Sequence, residues 1–163
     1  MTIERLSNER WGFASNCFVC ETKNSAGLAI PFFHDTDTST VFAEFTLDDR
    51  FSGAPAYLHG GVTLAILDEA MAWAAIAVAG QWAVTQTTAT NFDKPVRVGQ
   101  PYRVEAKILE VVAERIDASA SVLDARDTIR ARSTATFVAL GAAQAVDAIG
   151  ATPTGTDTEF FRA

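Results

Sequence analysis

The chain has 163 residues, a net charge of −7, 48% hydrophobic and 20% charged side chains, which describes one ordinary globular domain able to bury a real core. An acidic balance argues against a nucleic-acid partner, which calls for a basic surface, and a polyanionic ligand would need a local basic pocket. The first ten residues are too polar for the apolar stretch of a signal peptide, so a cytoplasmic address without a membrane anchor is expected.

Residues 1–27 read as a short polar helix or coil followed by a loop. They carry Cys17-Phe-Val-Cys20. A zinc site would want two more ligands, and His34 and His59 are the imidazoles on offer, at spacings unlike a common finger. A redox motif would want a helix start behind a strand, whereas residues 22–27 read as a turn. The expectation is two reduced thiols packing a loop, with no metal.

Residues 28–33 alternate like a strand, and Pro31 demotes it to an edge. Residues 34–39 form a turn, and 41–47 alternate as a half-buried strand. A loop over 48–58, with Gly53 and Pro55, delivers the chain to His59-Gly60-Gly61. An apolar run over 62–79 follows, interrupted by Asp68 and Glu69. A helix this apolar all round must be wrapped by protein or lipid. Its length would suit a membrane, but two adjacent central carboxylates without basic flanks argue against that.

Gly80 stops the helix, and four β-like segments follow at 82–92, 102–112, 115–123 and 128–140. Turns at 94–99 and 124–127 punctuate them. From 141 to 163 the chain is rich in Ala, Gly and Thr, with Phe160 and Phe161 as its anchors, and a mobile tail is expected. The organisation is therefore an N-terminal segment 1–27, a domain 28–140 and a tail 141–163. Two strands, a buried helix and four strands make an α+β architecture, an antiparallel sheet of about six strands wrapped around one hydrophobic helix.

Gly60-Gly61 at a helix start leaves backbone N–H groups bare at the positive end of the helix dipole. Asp68, mid-helix, is expensive to ionise unless it has a task. Donors for an oxyanion and a carboxylate in an apolar wall are the parts of an acyl-transfer or hydrolysis site. The plainer alternatives are a tight glycine turn and a buried carboxylate that fixes helix register. Gly60 and Asp68 are eight positions apart, about 12 Å along a helix axis. One carbonyl needs both groups within about 3 Å. Gly60 of one subunit with Asp68 of another solves this, so a site shared across a dimer is expected. Glu69, about 100° further round the helix, belongs to the opposite flank, at a subunit interface.

His59-Gly60-Gly61 with Asp68, the run Phe92-Asp-Lys-Pro95-Val-Arg-Val-Gly99, and Cys17-Phe-Val-Cys20 with Asn24 and Gly27-Leu28 together carry a resemblance over about residues 13–140. The chain resembles hotdog-fold proteins, more narrowly the acyl-CoA thioesterases of the phenylacetate (PaaI-type) and 4-hydroxybenzoyl-CoA type. That resemblance implies hydrolysis of an acyl-CoA to free acid and CoA. Asp68 would be nucleophile or general base, the Gly60 or Gly61 amide would polarise the carbonyl, and Thr85 would be the hydroxyl on the strand after the helix. Lys94, Arg97, Arg130 and Arg132 are the candidates for contacting CoA. No metal or redox cofactor is implied, since CoA enters with the substrate. A homodimer is implied, and a dimer of dimers is common in such families. Two alternatives stay open: a hotdog hydratase or dehydratase with His59 as acid and base, and a non-catalytic acyl-CoA sensor. At the helix entrance His59 reads first as a brace for the loop.

Overall fold

Seven strands and two helices, in a computed structural model that describes residues 2–154, follow the chain order β1 (Ile3–Arg5), β2 (Phe33–Asp35), β3 (Thr40–Phe45), α1 (Gly60–Ala77), β4 (Ala83–Phe92), β5 (Tyr102–Val112), β6 (Arg115–Asp124), β7 (Ile129–Ala139) and α2 (Ala142–Ile149). All strands join one antiparallel sheet in the order β1-β2-β3-β5-β6-β7-β4. The expected wrapped-helix α+β architecture is the one observed. After β3 the chain crosses under the sheet as α1, emerges as β4 at the far edge, and returns to fill the middle. This crossover puts α1 beneath β3, β5, β6, β7 and β4 at once.

The period-2 alternation of the sequence fixes which face meets the helix. Val104 and Ala106 on β5, Ile116, Ala118, Ala120 and Val122 on β6, and Ala131, Ala135 and Phe137 on β7 are buried. The many alanines let the helix approach closely, while Ile66, Leu67 and Met71 of α1 fill the space between, all fully buried. Burial of such side chains contributes about 1.5–3 kcal/mol each. Although α1 is long and apolar enough to cross a bilayer, half of it is buried within this fold, which is why it can be hydrophobic on several sides.

Three differences from the sequence reading have local causes. Residues 28–32 are not a strand, because the N–H groups of Leu28 and Ile30 bond the carbonyls of Phe18 and Val19 in the cysteine loop; β2 begins only at Phe33. A seventh strand, β1, pairs with β2 through three residues too polar to show alternation. Within the segment read as a tail, Gly141 opens α2, closed by the Gln144 side chain accepting the Gly141 N–H at 3.0 Å. Phe160 and Phe161 lie outside the described residues. The N-terminal segment is docked, since Trp11 is fully buried and its ring stacks 6.1 Å from Trp73 and meets Trp82 edge-on at 5.7 Å.

Candidate active site

The loop ahead of α1 is fixed by backbone bonds from Leu58 to Val96 and from His59 to Phe51. His59 is the N-cap, with φ −58° and ψ 134°, and its Nδ1 accepts the Gly61 N–H at 2.9 Å. That bond satisfies one of the bare donors of the helix start. The Gly60 N–H has no partner among the described residues, and Gly60 is exposed. Of the two glycines, Gly60 is thus the one offering a donor at the positive end of the dipole. A side chain at Gly60 would touch the ring of Phe92 at 3.7 Å, so the start of α1 lies against the end of β4.

Two helical turns on, Asp68 is partly buried and its Oδ1 accepts the Thr85 hydroxyl at 2.7 Å. Thr85 sits at the start of β4, where the pairing with β7 slips between Thr85 and Thr87. Such a bulge re-aims a side chain locally. Thr85 and Asp68 are therefore brought together, as are His59, Gly60 and Gly61. The two groups are not joined within one chain, for α1 holds them about 12 Å apart.

Glu69 lies on the other flank of α1 from the Asp68–Thr85 pair. Within the chain it turns to the N-terminal segment, where its Oε1 accepts from the Cys17 thiol at 3.4 Å. Burial, and then Cys17, push its carboxyl up to about 8. The Cys17 thiol is drawn down to about 5, first by its hydrogen bond with the Cys20 side chain.

Beyond Phe92, the 94–100 turn meets the β6–β7 hairpin in a groove of about 390 Å³ lined by Lys94, Arg97, Arg126 and Arg130, with Asp124 as the acidic member. Four cations face one carboxylate there, on a chain of net charge −7. Arg130 grips Asp124 at 2.6 Å, whereas Arg97 lies 5.2 Å over the Tyr57 ring. Three of the four expected cations converge. Arg132 does not join them, and it pairs with Asp93 at 3.1 Å. Arg126 was invisible as a candidate in the sequence, because it reads as an ordinary charged turn residue until the hairpin folds beside the 94–100 loop.

The sequence profile of the thioesterase superfamily matches residues 56–130, a stretch that contains Gly60, Asp68, Thr85 and the basic groove. Solved structures share the fold. One is a thioesterase superfamily protein at 22% identity and TM-score 0.66, covering 71% of this chain and 56% of that one, so the chain spans just over half of its length. A Streptococcus mutans protein solved with acetyl-CoA aligns at 18% identity and TM-score 0.60, over 63% of this chain and 82% of that one. The E. coli PaaI protein of the phenylacetic acid degradation operon aligns at 16% and 0.58, over 61% and 75%. No curated protein sequence matches the chain. Residues 56–130 match the thioesterase-superfamily profile, and the fold that carries them is the hotdog fold.

Proposed function

We propose that this protein is an acyl-CoA thioesterase that works as a homodimer, with Asp68 as the attacking carboxylate or general base and the Gly60 N–H as carbonyl-polarising donor. The observation that carries the reading is the 2.7 Å bond from Thr85 to Asp68 Oδ1 at the open edge of the sheet. It engages one carboxylate oxygen and leaves Oδ2 for the reaction. Oδ2 either takes a proton from water attacking the thioester carbon, or attacks that carbon itself and is regenerated by water. Either way the C–S bond breaks, negative charge on the carbonyl oxygen is met by Gly60, and the products are a carboxylic acid and the CoA thiol.

The edge strand supports the shared site. β4 is ten residues long, carries no charge and no proline, and is exposed from Val84 to Ala89. An edge of that kind invites pairing with another strand. Because α1 starts beside Phe92 and reaches Thr85 at Asp68, a two-fold axis at Ala89, with each Ala89 opposite its own copy, carries each of these ends to within one residue of the other. Pairing β4 with its own copy about that axis sets Gly60 of one subunit against Asp68 of the partner subunit. The basic groove lies just past Phe92, placed to take the phosphates of CoA while the thioester reaches Gly60. A hydratase reading relies on His59, whose Nδ1 already accepts the Gly61 N–H.

The test is thiol release from short, medium, long and aromatic acyl-CoAs. Asp68→Asn is expected to lower kcat by about 10²–10⁴-fold with acyl-CoA binding retained. Binding without release by the wild type would replace hydrolysis with the sensor reading. Loss of water-addition chemistry in His59→Ala, with no thiol released by the wild type, would point to a hydratase.

A further inference from the structure

The cysteine loop meets a third donor. The sulfurs of Cys17 and Cys20 and a carboxylate oxygen of Glu69 all lie within 4.8 Å of one another, and Cys17 Sγ is 3.4 Å from Glu69 Oε1. Around a tetrahedral zinc, with Zn–S about 2.3 Å and Zn–O about 2.0 Å, the S···O edge is about 3.5 Å. We propose that Cys17, Cys20 and Glu69 bind one zinc ion, stapling the N-terminal segment to the central helix.

The loop is built to hold its sulfurs in place. Cys17 Sγ accepts the N–H groups of Val19 at 3.4 Å and Cys20 at 3.5 Å, two amides aimed at one sulfur as suits a thiolate. The Leu28 and Ile30 amides hold the carbonyls of Phe18 and Val19 at 2.8 and 2.9 Å, and the Asn24 side-chain amide holds the Asn16 carbonyl at 3.1 Å. Gly27 admits no side chain, for a Cβ there would stand 2.4 Å from the Phe18 carbonyl oxygen. Among the described residues no Lys or Arg forms an ion pair with Glu69. A dication supplies the missing positive charge, and two thiolates select zinc over magnesium or calcium. Binding forms two Zn–S bonds and one Zn–O bond, and any thiol protons leave to solvent.

Three protein donors leave a fourth position for a small exogenous ligand such as water. Cys17 and Glu69 border a cavity of about 200 Å³ shared with Ser15, Trp73 and Trp82, which gives that ligand room. Asp68 and Thr85 lie on another face of α1, so the zinc site and the proposed thioesterase chemistry are separable. The zinc expected here reverses the sequence expectation of two packing thiols.

The experiment is metal analysis of the full chain, any affinity tag removed, after incubation with zinc and a non-chelating reductant and then gel filtration. One zinc per chain is expected for the wild type, falling to background in Cys17→Ser, Cys20→Ser and Glu69→Gln. Cobalt loaded into the wild type needs no variant to fold. It should give tetrahedral visible bands with near-ultraviolet sulfur-to-cobalt charge transfer. Absence of retained zinc in the wild type, zinc retained equally by both serine variants, or a cobalt spectrum without charge transfer would overturn the site. So would a Cys17–Cys20 disulfide persisting under those reducing conditions.

Discussion

Gly60 and Gly61 are neighbours with different chemistry, because His59 claims one amide and leaves the other. This allows a clean removal of a single donor. Gly60 is the first helical residue, where proline is tolerated since its missing N–H would have no helical partner. The residue before a proline must be extended, and His59 already is, at φ −58° and ψ 134°. The nearest side chain, Phe92, is at ordinary contact distance of 3.7 Å. Gly60→Pro should therefore fold like the wild type by circular dichroism and melting temperature, while kcat for thioester hydrolysis falls by about 10²–10³-fold, the usual cost of one oxyanion donor. Unchanged kcat would remove Gly60 from the chemistry. If subunits exchange, mixing Gly60→Pro with Asp68→Asn chains should restore activity, because one of the two shared sites in each heterodimer is then intact.

At the scale of elements, β4 is the strand through which the proposed dimer would assemble, and the β6–β7 hairpin bears on acid stability. A lysine at Ala89 would set like charges directly opposite each other at the proposed two-fold axis, which is destabilising in paired strands. Ala89→Lys should sediment as a monomer and lose thiol release; a monomeric wild type with full activity would sink the shared site. In the hairpin, Asp124 accepts the amides of Arg126 and Thr128 and the guanidinium of Arg130. The Thr128 and Arg126 amides lead in holding its carboxyl down to about 2 from 3.8. A depressed carboxylate stabilises the fold above its unfolded value and loses that contribution as pH falls toward the folded one. Melting temperature should thus fall from about pH 4 to pH 2. Asp124→Asn should melt lower than the wild type at neutral pH, with the gap narrowing over that window. Elements of this kind were legible in the sequence wherever a local pattern repeats: β3 by alternation, α1 by its apolar run, the helix start by His59-Gly60-Gly61. What was not legible is what distant segments do to one another. Leu28 alternates like a strand residue, yet its amide goes to Phe18. Trp11 lies in a polar stretch and is buried by Trp73 and Trp82. Cys17 finds Glu69 across 52 positions, a meeting that only the docking of the N-terminal segment on α1 creates.

For the whole molecule, the decisive property is how charge is segregated. The chain is acidic overall, yet Lys94, Arg97, Arg126 and Arg130 crowd one groove against a single acidic member. A long-range field of net charge −7 repels a polyanion such as CoA, and the groove attracts it at close range; salt screens both, over about 10 Å at 0.1 M ionic strength. The two contributions separate by substrate. An acyl-CoA would carry phosphates into the groove on the proposed reading, whereas an acyl-pantetheine thioester with the same reacting bond carries none. If the groove dominates, KM for acyl-CoA should rise as ionic strength increases from about 0.05 to 0.5 M, with kcat unchanged and the pantetheine substrate indifferent. Arg126→Ala should raise KM at low salt and flatten the salt dependence. Arg132→Ala, which removes a cation paired with Asp93 outside the groove, should do neither. Were KM for acyl-CoA to fall with salt, the global repulsion would be the stronger term and the phosphates would lie elsewhere. Equal salt effects on both substrates would instead trace the dependence to assembly across β4.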